Sequence, residues 1–374
     1  MEGKCIKVLQ INAGSNNFGG VSAIVLNIYR NIDKSKVQFD FLTPNKTTYA
    51  MYRDEIKALG GRIFEFGINS KTFPGKLKLA KKLKEFLSEN KYDIIHINSG
   101  ALLFNCIVAK ACKKYSNAKI FVHSHNNGGR NGFKELICMP LKKSLVKHSD
   151  LLLACSASSA EYMFPKANAG EAVIVNNGID AKKFAYNESV RKKIREEYGL
   201  SDNFVIGNIG RFMPQKNHEF IIDIFAEIFE KRKDARLMLV GQGELEESIK
   251  EKVNRLGLTD SVLFMGQRND IDKLCQAMDV FFLPSLFEGF GIVNLEAQAA
   301  GLVCVTSDGV PNDADAAGNM KRLSLKLPHD KWIDSLLNID TSKRTDLSDK
   351  IISAGFDIKE TGKLMQKLYE GAAV

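Results

Sequence analysis

The sequence predicts an α/β protein of two doubly wound units, each a parallel sheet covered by helices on both faces. Three features carry this expectation. Short, almost continuously apolar runs alternate with segments of helical period, as strands buried on both faces require. The alternation is interrupted once, by the charged stretch 180–198, and then begins again. Finally, 374 residues are more than one hydrophobic core commonly serves.

Strands are expected at 6–11, 39–42, 63–66, 92–97, 120–123, 151–155 and 173–175, with helices such as 21–31 and 77–87 between them. These form a first Rossmann-like unit over 1–180. A linker and helix near 181–200 lead into strands at 204–209, 237–240, 262–265, 280–283 and 303–306, and so into a second Rossmann-like unit over 181–355. Ligands of doubly wound sheets bind beyond the carboxyl ends of the strands, so two such units are expected to face a central cleft.

The charge is uneven. Residues 1–180 hold 26 Lys and Arg against 14 Asp and Glu, whereas 181–374 hold 27 against 30. Nucleic acid is a poor partner for the basic half, because no zinc finger, recognition helix or aromatic-basic motif accompanies the charge. Lysine-rich helical faces at 74–87 (Lys76, Lys78, Lys81, Lys82, Lys84) and 133–148 (Lys134, Lys142, Lys143, Lys147) are either solvated faces or shallow contacts with an anionic membrane surface. No run of eighteen apolar residues or signal-peptide layout occurs, and the seven scattered cysteines suit reduced thiols. The expected location is the cytoplasm, with the inner membrane face as a peripheral site.

Glu288 and Glu296 stand eight positions apart around the loop Gly289-Phe290-Gly291, directly after the apolar run 280–283. A strand, a glycine loop and a helix entrance leave backbone N–H groups and a positive dipole end for an anion, while carboxylates accept from paired hydroxyls. A phosphate beside diols describes a nucleotide sugar. Gly210-Arg211-Phe212 also follows a strand, and Lys216-Asn217 precedes the next helix; this is either a diphosphate clamp or a solvated charge pair. Gly241-Gln242-Gly243-Glu244 lacks the third glycine of a dinucleotide fingerprint and reads as a tight turn near the nucleotide. Arg268 lies near the base or is a plain surface arginine.

In the first half, Gly19-Gly20 closes the polar loop 12–20 and opens a helix, which suits close approach of an anion or merely a flexible turn. His123-Ser124-His125-Asn126-Asn127 ends a strand, where histidines suit a sugar hydroxyl or proton transfer better than zinc, for want of a third ligand. His96 reads as a satisfied core residue. Asp270-Ile271-Asp272 reads as a helix cap and Asp313-Ala314-Asp315 as a loop, rather than as metal ligands.

Taken in order, the double glycine, the histidine pair, Arg211 with Lys216, and Glu288 with Glu296 in EGFGIVNLE resemble the family 4 retaining glycosyltransferases of GT-B fold. The segments GGVSAIVLNIYRNIDKSKVQFDFL and FDIKETGKLMQKLY look like the bacterial capsule and exopolysaccharide branch. The resemblance implies transfer from a UDP-hexose or UDP-N-acetylhexosamine to a polyprenyl-diphosphate-linked or other glycan acceptor. It implies that Arg211 and Lys216 neutralise the diphosphate without a metal ion or other cofactor. Glu296 would take the ribose, Glu288 the sugar, and Phe290 and Gly291 would present amides. Gly19 would approach the diphosphate from the first unit, and His123, or failing that His125, would stand near the transferred sugar. The helix at about 356–371 would pack back on the first unit. Ser22, where many relatives carry an acid, and Leu302, where a proline is common, depart from the pattern. A sugar-nucleotide 2-epimerase and a non-catalytic nucleotide-sugar-binding protein are the alternatives.

Overall fold

In the computed structural model every paired strand runs parallel to its neighbours, and the pairings fall into two separate sheets. The structure describes residues 5–13, 19–46, 48–126 and 132–373, without the side chains of 132–134 and 343. The first unit comprises residues 1–178 together with 358–374, and the second comprises 179–357.

The first sheet contains β1 (Ile6–Asn12), β2 (Val37–Thr43), β3 (Ile63–Glu65), β4 (Ile94–Ser99), β5 (Lys119–Ser124), β6 (Leu151–Ala154) and β7 (Val173–Ile174), in the order β3-β2-β1-β4-β5-β6-β7. Its two faces differ in chemistry. One is aliphatic: Leu9, Ile11, Ile95, Ile97, Ile120 and Val122 pack with Leu79, Leu83 and Leu87 of the helix Phe73–Glu89 and with the helix Leu102–Tyr115. The other is aromatic and polar, and the last helix, Ile358–Ala372, lies over it. Tyr369 from that helix is fully buried, 5.6 Å from the Phe39 ring and 5.8 Å from Phe121.

The second sheet contains β8 (Phe204–Ile209), β9 (Ala235–Val240), β10 (Val262–Phe264), β11 (Val280–Leu283), β12 (Val303–Ser307) and β13 (Met320–Leu323), ordered β10-β9-β8-β11-β12-β13. Strand β13 has no counterpart among the sequence expectations. Its Met-Lys-Arg-Leu sequence lies at the sheet edge without a buried residue, so neither an apolar run nor clean alternation marks it. The charged stretch after 180 forms the expected helix, Glu188–Glu197, whose Arg191 and Arg195 converge on Asp279 at 2.6 and 3.1 Å; Arg344, from later in the unit, donates to the carbonyls of Cys275, Gln276 and Met278. Cations on the last carbonyls of the helix Ile271–Ala277 complement its dipole and hold it to the sheet.

One lysine assignment needs correction. Lys142 does not belong to a solvated face: it is buried, 2.5 Å from Glu135 and 2.7 Å from the Glu161 carbonyl, because burying an ammonium requires partners for it. The Lys134 side chain lies outside the described residues.

Candidate active site

In the second unit, glycines bring the strand ends together. At the end of β9, Gly241 takes φ +141° against the Gly210 carbonyl, where a Cβ would stand 2.1 Å from the oxygen. Only glycine fits there, so the Gly-x-Gly turn closes the loops after β8 and β9 on each other. The Phe212 N–H donates to Gln242 O at 3.2 Å, and the Leu245 N–H donates to Phe212 O at 3.0 Å. Arg211 is half-buried on this turn.

Lys216 is aimed by its backbone. A single turn, Pro214–Lys216, ends at Asn217, whose left-handed φ of 58° turns the chain into the helix His218–Lys231. Asn217 Nδ2 donates to Pro284 O at 3.2 Å, Gln215 Nε2 donates to Phe287 O at 2.9 Å, and Gln215 O accepts from the Leu286 N–H at 2.8 Å. The loops after β8 and β11 are therefore laced together. Lys216 Nζ reaches Glu288 Oε1 at 2.6 Å, and Ser285 Oγ donates to the same oxygen at 2.6 Å. The Glu288 N–H donates to Gly309 O at 2.9 Å, and Ser307 Oγ donates to Ser285 O, so the loop after β12 fixes the same segment. The Glu288 residue is only 7% exposed.

Gly291, at φ +79°, opens the helix Ile292–Ala299, a conformation unfavourable to any residue with a Cβ. The backbone N–H groups of Gly289, Phe290 and Gly291 have no hydrogen-bond partner among the described residues. The Phe290 side chain is core, 5.2 Å from the Phe356 ring. Glu296 is half-buried one turn into the helix, away from the lysine pair. Burial pushes its carboxyl up to about 7, opposed by Lys183 and reinforced by Asp272, which themselves pair at 3.2 Å.

The structure thus joins Lys216 to Glu288 directly and gives Glu296 a separate setting. Arg268, after β10, holds Asp270 through two bonds of 2.8 and 2.7 Å. That corrects the cap reading: Asp270 precedes the helix Ile271–Ala277, but its carboxylate serves the arginine and makes no cap bond. Asp315 accepts from the Gly318 and Met320 N–H groups, a turn-holding role. Among the described residues, no group of three His, Cys, Asp or Glu is placed to hold a metal ion.

In the first unit, Gly19 precedes the helix Gly20–Arg30 as its cap residue, and the loop residues 14–18 lie outside the described residues, as does Asn127. His123 is fully buried between His96, stacked on it at 5.4 Å, and His125, tilted against it at 4.0 Å, and neither of its ring nitrogens has a partner among the described residues. Burial holds all three rings neutral, pushing His96 and His125 down to about 3 and His123 well below its usual range. His125, half-buried at the strand end, is the outer member of the stack. His96 is only partly satisfied: its Nδ1 is 2.7 Å from Tyr369 Oη, whereas its Nε2 has no partner among the described residues. Asn126 offers its carbonyl to Ser159 Oγ at 3.1 Å.

Ser285, Gln215 and Ser307 around Glu288, and Gln10, Asn98 and Tyr369 around the histidines, carried no motif. The available signal was polar side chains inside otherwise apolar strands: Gln10, Asn12, His96, Asn98 and His123 occupy aligned positions of β1, β4 and β5.

Residues 18–183 match the family described as Glycosyltransferase Family 4, and residues 190–340 match Glycosyl transferases group 1. The chain is 30% identical over 374 residues to the putative glycosyltransferase EpsF of Bacillus subtilis, spanning 97% of this chain and 96% of that protein. It is 27% identical over 311 residues to the UDP-Gal:alpha-D-GlcNAc-diphosphoundecaprenol alpha-1,3-galactosyltransferase of Escherichia coli, 78% of this chain and 79% of that one. The crystal structure of Anabaena Alr3699/HepE in complex with UDP and glucose shares the fold, with a TM-score of 0.76 at 20% identity over 98% of this chain and 100% of that one.

Proposed function

Because this chain belongs to glycosyltransferase family 4 and so acts on nucleotide-sugar donors, we propose that it is a retaining, metal-independent hexosyltransferase of capsule or exopolysaccharide synthesis. The donor is a UDP-hexose or UDP-N-acetylhexosamine, and the acceptor is a glycan on a polyprenyl diphosphate. The E. coli relative's name, a UDP-sugar donor and a diphosphoundecaprenol acceptor, supports this choice.

The observation that carries the reading is the Lys216–Glu288 contact beside the amides of Gly289, Phe290 and Gly291. Arg211 and Lys216 hold the diphosphate, those amides and Glu288 hold the sugar, Glu296 takes the ribose hydroxyls, and Gly241 and Arg268 border the nucleotide. From the first unit, Gly19 and Gly20 are proposed for donor binding, His123 for the transferred sugar with His125 as the second choice, and His125 with Asn126 for the acceptor side. The acceptor hydroxyl attacks the anomeric carbon from the face that the diphosphate leaves. The new C–O bond forms as the old one breaks, and the hydroxyl proton passes to the departing phosphate oxygen. Fixed cations stabilise the charge developing on that oxygen.

A peripheral membrane location has its own support. Phe73 and Leu77 are 56% and 51% exposed, and Leu136 and Ile137 are 71% and 60% exposed. They occupy the beginnings of two helices that both pack on Leu102–Tyr115, with exposed Lys78, Lys81, Lys143 and Lys147 further along. Apolar side chains followed by ammonium groups suit an anionic interface.

The test is incubation of the purified protein with UDP-sugars, with and without a polyprenyl-diphosphate glycan, followed by NMR of the product linkage. An α-linked product from an α-donor is expected. Turnover of donor alone to an epimer, or no turnover across a UDP-, GDP- and ADP-sugar panel, would overturn the reading.

A further inference from the structure

The Glu288 carboxylate is held by a closed ring of hydrogen bonds that begins and ends at Ser285. Ser285 Oγ donates to Glu288 Oε1 at 2.6 Å, the Glu288 N–H donates to Gly309 O at 2.9 Å, the Gly309 N–H donates to Ser307 Oγ at 3.2 Å, and Ser307 Oγ donates to Ser285 O. The ring closes only because the loop after β12 lies hard against the loop after β11. A Cβ on Gly309 would stand 2.5 Å from Leu286 O and 2.7 Å from Ser285 O. Ser285 and Ser307 are both fully buried, where a hydroxyl without a partner is costly, and each spends its hydroxyl inside the ring. Ser285 is therefore fixed at its carbonyl and its hydroxyl alike.

The two oxygens of Glu288 are loaded unequally. Oε1 accepts from Ser285 Oγ and from Lys216 Nζ, each at 2.6 Å, which fills the lone pairs of that atom. Among the described residues Oε2 accepts only from Gln215 Nε2 at 3.4 Å, longer than an ordinary N–H···O bond. We propose that Ser285 is a positioning residue for the donor sugar: by occupying Oε1 together with Lys216, its hydroxyl fixes the rotation of the carboxylate and leaves Oε2 as the oxygen that accepts from a hydroxyl of the hexose. Lys216 alone does not select an oxygen, because an ammonium on a flexible stem follows either one, whereas a hydroxyl on a fixed backbone reaches only one. The proposal rests on the reading of Glu288 as a sugar-holding residue, and every residue it uses lies in the second unit.

The test is titration calorimetry of the full-length protein with UDP and, in turn, with UDP-glucose, UDP-galactose and UDP-N-acetylglucosamine. The readout is the dissociation constant of the tightest-bound UDP-sugar divided by that of UDP, so that a general loosening of the nucleotide site cancels. Ser285→Ala is expected to raise this ratio about tenfold, the effect of losing one hydrogen bond to a charged group. Glu288→Ala should raise it at least as much, and Ser285→Ala added to Glu288→Ala should raise it no further, because the hydroxyl acts through the carboxylate. A ratio unchanged by Ser285→Ala but raised by Glu288→Ala would overturn the proposal, and so would a further rise in the double variant. A ratio unchanged by Glu288→Ala would instead overturn the assignment of Glu288 to the sugar.

Discussion

Lys216 Nζ and Glu288 Oε1 stand 2.6 Å apart although 72 positions separate them in sequence, and both side chains are largely buried. The ammonium assigned to the diphosphate therefore already holds the carboxylate assigned to the sugar, and the two tasks share one electrostatic unit.

Lys216→Ala leaves the Glu288 carboxylate buried with Ser285 as its close partner. Removing one member of a buried pair costs more than the pair is worth, and we expect a loss of about 2 kcal/mol in the second unit. Calorimetry should show Tm falling by several degrees and assays a drop in turnover of about 100-fold or more. Adding Glu288→Gln should restore most of the Tm and none of the activity. An unchanged Tm in the single variant would mean that the pair contributes nothing to folding.

Acid should unfold the first unit ahead of the second. His96, His123 and His125 have folded values depressed from 6.5, so their stabilising contribution is present above 6.5 and is lost as pH falls toward their folded values. The second unit has one comparable ring, His218, pushed down to about 4. Each buried histidine contributes up to about 1.4 kcal/mol per pH unit over its window. Hydrogen exchange at pH 7 and pH 5 should show protection falling more steeply in residues 1–178 than in 179–357; equal slopes would refute this.

Glu296 gives the opposite sign. Its carboxyl is raised from 4.5 to about 7, so its contribution to stability is full below 4.5 and disappears as pH rises through 7. Glu296→Gln should therefore be more heat-stable than the parent at pH 8 and similar to it at pH 4. Only the ionised carboxylate accepts two hydroxyls, so UDP-glucose affinity should rise between pH 6 and 8 in the parent and stay flat in the variant. Titration calorimetry decides; a flat parent curve would remove Glu296 from the ribose.

The exposed apolar side chains predict binding to vesicles rich in anionic lipid. Replacing both Leu136 and Ile137 by Ser should lower sedimentation with such vesicles by about tenfold or more, because each contributes burial only when the membrane covers it. Turnover on a soluble acceptor should be unchanged. Equal sedimentation of parent and variant would place the basic faces in water.

The strands and their order of appearance were legible because runs such as 204–209 and 280–283 are apolar throughout, and a parallel sheet buried on both faces allows little else. The Glu288 loop was legible because glycine, carboxylate and strand end lie within a dozen residues. The Lys142 burial and the Asp270 pairing were not, because each depends on a partner whose direction no periodicity encodes. The stack of His96, His123 and His125 was hidden for another reason: it depends on the register between β4 and β5, which pairs Asn98 with His123. Edge strand β13 escaped because only its pairing with β12 makes it a strand.

Because Tyr369 completes an interior that otherwise comes from residues 1–178, synthesis cannot finish the two units in the order in which they begin. On the ribosome the amino-terminal sheet emerges first and must wait, its aromatic face uncovered, while the intervening 179 to 357 are made and can fold without it. Only when residues 358–374 have been made can that face be covered, so the sheet translated earliest is completed after the second unit has been translated.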